Sequence, residues 1–356
     1  MKITAMNRLR LLLTVSFILI LLISGASVDK FTRTVKKEYP IDKDAHLYVD
    51  NQYGKIHCAN WDRDVISFEV TITVDAYNEQ KAARIFDMIR VDMHGSGSEV
   101  VAKTNISDDF KSNNDNTSME IDYMVYMPET VSLSLENKFG DIYIEYVRGP
   151  ANIDLSYGNL EAINLSNQEN NLEIKFSKAS IDTITGFSAE LKYSEFIVDY
   201  SKRMNAESKF STIRVEKVTS AEIDSQYDTY TIGDMQSAEI HSEFSTIKIT
   251  KLLKHINIDS KYGSIQVKYI APGFAEAEIY NEFGDLELGL DEEASYQLDA
   301  TVKLGSLSYP KENASLVKES EDYTTTNYRG VIGTNKSTAS RIYIESSNAG
   351  VTIKSW

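Results

Sequence analysis

The pattern of apolar and polar positions repeats about every seventeen residues through the middle of the chain. An aromatic residue followed by Gly, Ser or Asp marks each copy, and successive aromatics are 17 to 21 residues apart. The aromatic positions are Phe139, Tyr157, Phe176, Tyr193, Phe210, Tyr227, Phe244, Tyr262 and Phe283. Tyr53-Gly54 is an early copy, and Leu304-Gly305 continues the series. A fixed period of this kind is typical of repeat architectures.

Both flanks of each aromatic alternate between apolar and polar residues. After Phe210, Ile213 and Val215 are apolar, and before Phe244, Ile240 and Ala238 hold the equivalent positions. A period of two predicts strands with one buried face. Two short strands and two corners in seventeen residues predict one coil of a single-stranded parallel β-helix, an all-β solenoid in which successive coils pair.

Three columns of residues follow from this register. The aromatics are predicted to stack in the core between coils as a structural ladder. The residue after each aromatic is expected to form the corner, where glycine tolerates left-handed backbone angles. Two positions before the aromatic, an inward-facing polar ladder is predicted to hydrogen-bond along the stack, since buried polar groups need partners. Its members are Asn51, Asn137, Ser208, Ser225, Ser242, Ser260 and Asn281.

An antiparallel meander of hairpins is the competing fold. It requires two-residue Asn-Gly or Asp-Gly turns every eight to ten residues. The array lacks these dipeptides. Coils are therefore favoured over hairpins.

The ends of the chain have other patterns. Residues 1–26 contain Lys2, Arg8 and Arg10, then an apolar run, then Ser24-Gly25-Ala26, which predicts a signal peptide cleaved after Ala26. A retained N-terminal anchor is the alternative. Residues 27–128 are predicted to form strands and a helix over 78–89 that cap the array, residues 129–310 the solenoid, and residues 311–356 a loop and closing rungs. We expect the mature protein to be exported to the periplasm, the outer surface or the medium, with no membrane span after cleavage.

Composition limits the function. The net charge of -16 becomes -19 when the three basic residues of the signal segment are removed, which argues against nucleic acid as a partner. Cys58 is the single cysteine and is predicted to be a buried apolar residue, so no internal disulfide supports the fold.

The sequence shows no constellation that indicates catalysis or a cofactor. The five histidines have no metal-ligand spacing. The outward positions of the array repeat neither an acid–base pair nor a calcium-assisted carboxylate cluster, which β-helix lyases and hydrolases need, and they show a column of Thr212, Thr229 and Thr246 instead. A calcium site formed by Asp108, Asp109 and Asp115 is a minor alternative. We therefore expect no catalytic, cofactor-binding or metal-binding residues.

The motifs Asn51-Gln-Tyr-Gly-Lys-Ile, Asn137-Lys-Phe-Gly-Asp-Ile and Asn281-Glu-Phe-Gly-Asp-Leu carry a family resemblance, together with Pro128 and Gly350-Val-Thr-Ile353. The chain resembles the bacterial "putative adhesin" family of auto-transporter adhesin-like, head GIN-type β-solenoid domains. The middle coils depart from it by replacing the corner glycine with Ser or Asp. The resemblance implies a non-enzymatic module at the cell envelope or surface, with an unidentified glycan or protein partner. A self-assembling structural protein and a carbohydrate-active β-helix enzyme are the alternatives.

Overall fold

A computed structural model describes residues 29–108, 110, 118–320 and 323–356. The predicted signal peptide lies outside these residues. Among the described residues, no helix combines the length and the apolar character needed to cross a membrane.

The chain before the array contains five strands and one helix with the following bounds: β1 Asp29–Gln52, β2 Ile56–Asn60, β3 Val65–Ala76, α1 Glu79–Asp87, β4 Ile89–Ile106 and β5 Met119–Met127. The array begins with β6 Ser132–Lys138, β7 Ile142–Val147, β8 Ala151–Ser156, β9 Asn159–Leu165 and β10 Asn170–Lys175. Its middle coils are β11 Lys178–Lys192, β12 Glu195–Lys209, β13 Thr212–Gln226, β14 Thr229–Glu243 and β15 Thr246–Lys261. The remaining strands are β16 Ser264–Ile270, β17 Glu276–Glu282, β18 Leu286–Leu290, β19 Tyr296–Lys303, β20 Ser306–Ser308, β21 Ala314–Ser320, β22 Thr325–Ile332, β23 Arg341–Ser347 and β24 Gly350–Ser355.

The predicted parallel β-solenoid is confirmed. Strands β11 to β15 each supply one coil, and each pairs in parallel with the next, as in Lys192 with Lys209 and Lys209 with Gln226. Seventeen residues separate these partners, so the sequence period is the coil itself. The hairpin meander is wrong for the array, because its neighbouring strands are parallel.

All 24 described strands belong to one continuous sheet, and each coil contributes to two of its parallel parts, which we call the first and the second sheet. The strands before the aromatic corner form a first sheet, in the order β4, β1, β6, β8, β10, the second halves of β11 to β15, β17, β23 and β19. The strands after the corner form a second sheet, in the order β5, β2, β7, β9, the first halves of β11 to β15, β16, β18, β24 and β20. Inward aliphatic residues of both sheets form the core, which buries Cys58 completely.

The order of coils in space differs from their order in sequence at both ends. The coil of Tyr53 pairs directly with the coil of Phe139, although residues 61–127 separate the two in the sequence. Strands β23 and β24 insert between the coil of Phe283 and the coil of Leu304, with Asn348 at the corner. Arg341 to Ile353 therefore forms a rung, as expected, but not the last one. An antiparallel hairpin of β21 and β22 covers the outer edge of β19.

The described residues form two compact units. Among the described residues, the smaller unit consists of residues 29–34, 71–90, 105–108, 110 and 118–120. It contains α1, which Asn78 caps by accepting a hydrogen bond from the Lys81 N–H at 2.8 Å. The helix begins and ends within two residues of the predicted bounds. Its role as a cap of the array stays a prediction.

Candidate interaction surface

Ten aromatic residues stack in one column along the corner of the solenoid: Tyr53, Phe139, Tyr157, Phe176, Tyr193, Phe210, Tyr227, Phe244, Tyr262 and Phe283. We call this column the aromatic ridge. Neighbouring ring centroids are 4.8 to 5.3 Å apart, and the ring planes differ by 3 to 11°. The spacing follows the distance between paired strands, because each coil supplies one ring.

The ridge lies on the surface, which corrects the prediction that these rings fill the core. From Phe139 to Phe283 the residues are 45 to 53% exposed. All ten have φ between 51 and 60°, the left-handed region. This conformation interrupts the alternation of the strand and turns the side chain away from the core. Each ring covers the faces of its neighbours and leaves its edge to solvent.

The corner glycines serve a different purpose from the one predicted. The left-handed residue is the aromatic, and the following glycine has an ordinary φ. A Cβ atom at Gly140 would clash with the carbonyl oxygen of Gly54, and one at Gly284 would clash with that of Gly263. Glycine is needed there because two coils approach closely.

Where the steps between aromatics are seventeen residues, Ser or Asp replaces this glycine and links the coils. The N–H of Ser177 donates to Ser194 Oγ at 3.3 Å, and the N–H of Ser194 donates to Ser211 Oγ at 3.2 Å. The series continues from Ser211 N–H to Asp228 Oδ1 at 2.7 Å and from Asp228 N–H to Ser245 Oγ at 3.0 Å. The Ser and Asp residues that replace the corner glycine thus form a hydrogen-bonded column along the stack.

Asp228 is a carboxylate buried inside this column. It is 4% exposed and accepts hydrogen bonds from the hydroxyls of Ser208 and Ser225 and from the N–H groups of Ser211 and Gln226. Burial raises the pKa of Asp228, while these four hydrogen bonds act in the opposite direction. Burial likewise raises the pKa of Tyr230, whose hydroxyl lies 2.6 Å from Ser208 Oγ.

The polar residues two positions before the aromatics are all buried, but they do not bond to one another along the stack. Asn137 donates to the carbonyls of Gly54 and Asp141 at 2.9 and 3.1 Å, and Asn281 donates to that of Gly284. The hydroxyls of Ser242 and Ser260 have no hydrogen-bond partner among the described residues. These side chains therefore support the corner locally rather than forming one ladder.

The outer face of the first sheet carries an acidic column that the sequence analysis missed. Three positions before the aromatic, aligned coils present Glu136, Asp154, Glu173, Glu190, Glu207, Asp224 and Asp259, interrupted by His241. The fixed offset from the aromatic is the signal that could have found them. The column has one acid per coil and is not the acid–base pair or calcium-binding cluster considered in the sequence analysis; the threonine column identified there lies on the outer face of the second sheet.

Basic residues next to the ridge partly balance these acids. Lys175 pairs with Glu173, and Lys192 pairs with Glu190. Asp154 has Ser156 in the equivalent position, and its pKa is raised by burial and by the charge of Glu173. The five acids from Glu136 to Glu207 line a shallow groove of about 590 Å³, together with Asn152, Asn171 and Asn205.

No arrangement of groups suited to metal binding is visible in the described part of the chain, where no three His, Cys, Asp or Glu side chains converge. Asp109 and Asp115 lie outside the described residues, so the minor calcium alternative is not tested. His241 Nε2 lies 3.6 Å from Glu239 and is exposed on the first sheet.

Comparisons with known proteins give weak likenesses. No family model matches the chain, and no characterised protein matches its sequence. A putative cell adhesion protein from Clostridium sporogenes ATCC 15579 is 9% identical, with 93% of this chain and 100% of that chain covered and a TM-score of 0.19. A putative adhesin from Bacteroides fragilis NCTC 9343 is 11% identical, with 91% and 97% covered and a TM-score of 0.26.

Proposed function

We propose that this protein is an exported, non-enzymatic interaction module of the cell envelope or surface, adhesin-like in role. The observation that supports the proposal is the aromatic ridge. Nine of its ten residues are each about half exposed, and together they present a mostly aromatic strip on the order of 1000 Å², given the usual size of aromatic side chains. Contiguous exposed apolar patches beyond a few hundred Å² mark interaction sites in soluble proteins.

The geometry of the ridge defines how a partner would meet it. Along the interior of the ridge the ring faces are covered by their neighbours, so a sugar ring cannot stack on them there. The exposed edges carry a hydroxyl at every second ring, from Tyr157, Tyr193, Tyr227 and Tyr262. A partner with apolar groups and hydrogen-bond acceptors fits this edge.

The charges beside the ridge favour specific binding over non-specific adsorption. Lys175, Lys192 and Lys209 follow one side of the ridge, and the acidic column runs beside them. Charged rows that flank an apolar strip orient a partner and exclude surfaces of the wrong sign.

The test compares two double variants of the purified protein on immobilised glycans and envelope fractions. Tyr193→Asn with Tyr227→Asn removes two rings, and asparagine tolerates the left-handed backbone that these corners require. Thr212→Asn with Thr229→Asn is the control, because it places two asparagines on the exposed face of neighbouring coils. We expect the control to be retained like the wild type and the ridge variant to be retained at least fivefold less.

Equal retention of both variants would contradict a role for the ridge. Release of soluble sugar from a glycan would contradict the non-enzymatic assignment and favour the carbohydrate-active alternative. Circular dichroism of both variants controls for loss of fold.

A further inference from the structure

We infer that the end of the second sheet binds an extended peptide, which adds to β24 as a strand. The inference deepens the proposed function by naming one class of partner, and it rests on a different surface from the aromatic ridge. The slot consists of the part of β24 beyond Thr352 and the groove beside it.

The last coil of the second sheet is too short to cover β24. Strand β20 pairs Ser306, Leu307 and Ser308 with Gly350, Val351 and Thr352, and then ends. Pro310 follows two residues later, and a proline cannot donate to a strand ladder. Strand β24 continues to Ser355 and pairs there with β18 alone.

Backbone directions show which groups remain open. Trp356 N–H donates to the Leu290 carbonyl at 3.0 Å, on the side of β18. Because successive residues of a strand direct their backbone groups to opposite sides, Ser355 points its N–H and carbonyl to the side that β20 has left. The Ile353 carbonyl faces the same way. An added strand would find these groups at the spacing of a parallel or antiparallel ladder.

A groove of about 1190 Å³ lies beside this open edge. The buried residues Leu290, Tyr296, Ile332 and Ile353 form its floor, and Tyr309 and the exposed ring of Trp356 flank it. Tyr296 is 2% exposed, and its hydroxyl has no hydrogen-bond partner among the described residues. Such a buried hydroxyl normally finds a partner, so its lack of one agrees with an incomplete site.

Charge in the groove selects the peptide. Asp291, Glu292, Glu293 and Glu312 line it with two lysines, Lys311 and Lys354, which leaves two net negative charges. A strand that alternates an apolar residue toward the groove with a basic residue toward its rim matches both properties.

The equivalent end of the first sheet is protected. Strand β22 pairs with β19 along its whole length, and β21 pairs with β22. The outermost strand carries Lys318 and Glu319, and charged residues on an edge discourage strand addition. The contrast between the two sheets leaves β24 as the edge that is open to a partner.

The experiment titrates the purified protein with acetyl-Lys-Val-Lys-Val-Lys-amide by isothermal calorimetry. Two variants separate backbone pairing from other effects. Ser355→Pro removes the N–H that points to the open side and leaves the ladder with β18 intact, whereas Ser355→Ala keeps that N–H. Loss of one backbone hydrogen bond is expected to weaken binding about two- to tenfold in Ser355→Pro. Binding by Ser355→Ala is expected to match the wild type.

Three further results would overturn the inference: no binding of this probe at millimolar concentration, equal binding of the two variants, or equal binding of a probe whose valines are N-methylated. Equal binding of acetyl-Glu-Val-Glu-Val-Glu-amide would overturn the basic specificity. Self-association of the wild type that Ser355→Pro abolishes would show that the occupant is a second copy, contrary to the inference. Retention on envelope fractions through the ridge would survive any of these outcomes, so failure here is distinguishable from failure of the proposed function.

Discussion

The backbone N–H of Ser211 donates to the carboxylate of Asp228 in the next coil, at 2.7 Å. In the adjacent coils a serine hydroxyl accepts the equivalent bond. Asp228 thus performs a structural task that serine performs elsewhere, while burying a negative charge without a basic partner among the described residues.

This relationship predicts a pH dependence of stability. The folded state holds the pKa of Asp228 above its usual value, so the folded protein favours the protonated form. The resulting stabilisation is complete below the unfolded pKa of about 3.9 and is lost as the pH rises through the raised folded value. Relative to Asp228→Ser, the wild type should therefore lose stability across that interval. Urea denaturation of both proteins between pH 3.5 and 7 measures the difference, and a pH-independent difference would contradict the prediction.

A second prediction concerns the left-handed corner. Phe210 has φ of 54°, where glycine is favoured over other residues by about 1 to 2 kcal/mol. We expect Phe210→Gly to be more stable than Phe210→Ala by about 1 kcal/mol, measured by chemical denaturation. The control is Ile213, a buried strand residue, where alanine should be the better tolerated of the two. The same ranking at both positions would argue against backbone strain at the corner.

A third prediction tests the coil as a unit. Deletion of Phe210 to Glu243 removes 34 residues, two coils, and joins Lys209 to Phe244 with the same register and the same corner. Since each coil contacts mainly its neighbours, the product should be a folded, shorter and less stable β-protein. Deletion of Ser211 to Val218 removes half a coil and should unfold or aggregate. Circular dichroism and thermal melting compare the two, and equal damage would contradict the model of independent coils.

A fourth prediction concerns Cys58. Burial raises the pKa of its thiol to about 12, so the reactive thiolate is scarce at neutral and mildly alkaline pH. Ellman's reagent at pH 8 should leave the native protein unmodified for hours and label one thiol in guanidinium. Rapid labelling of the native state would show that this part of the core opens readily.

Much of the fold could be predicted because local sequence repeats reported it directly. The alternation around Ile213 and Val215 gave the buried faces, and the seventeen-residue step gave the coil. The exposure of the Phe210 ring could not be predicted by counting alternate residues as inward and outward. Its left-handed backbone interrupts the alternation on which that count depends. The acidic column could have been found at its fixed offset from each aromatic, as Glu190 and Glu207 show.

The sequence could not predict which coils lie next to each other at the ends of the solenoid, because the repeat pattern does not encode the pairing partner. The pattern around Leu304 and that around Asn348 each predict a coil, but neither specifies which coil lies next to it. Pairing of Asn281 with Ser346 rather than with a residue of β19 depends on the fit of whole coils. Likewise, the open edge at Ser355 follows from the length of β20, which only the pairing reveals.

The insertion of β23 and β24 between two earlier coils also constrains the order of folding. Coils from Phe139 to Phe283 can form one after another as the chain emerges, because each pairs with the coil that precedes it in the sequence. The strand Tyr296–Lys303 has to wait, since the surface on which it docks is β23, which is synthesised about forty residues later. Closing such a loop is entropically unfavourable and slow compared with adding a sequential coil. Folding should therefore end in a distinct late phase, in which β23 pairs with β17 and β19 then pairs with β23.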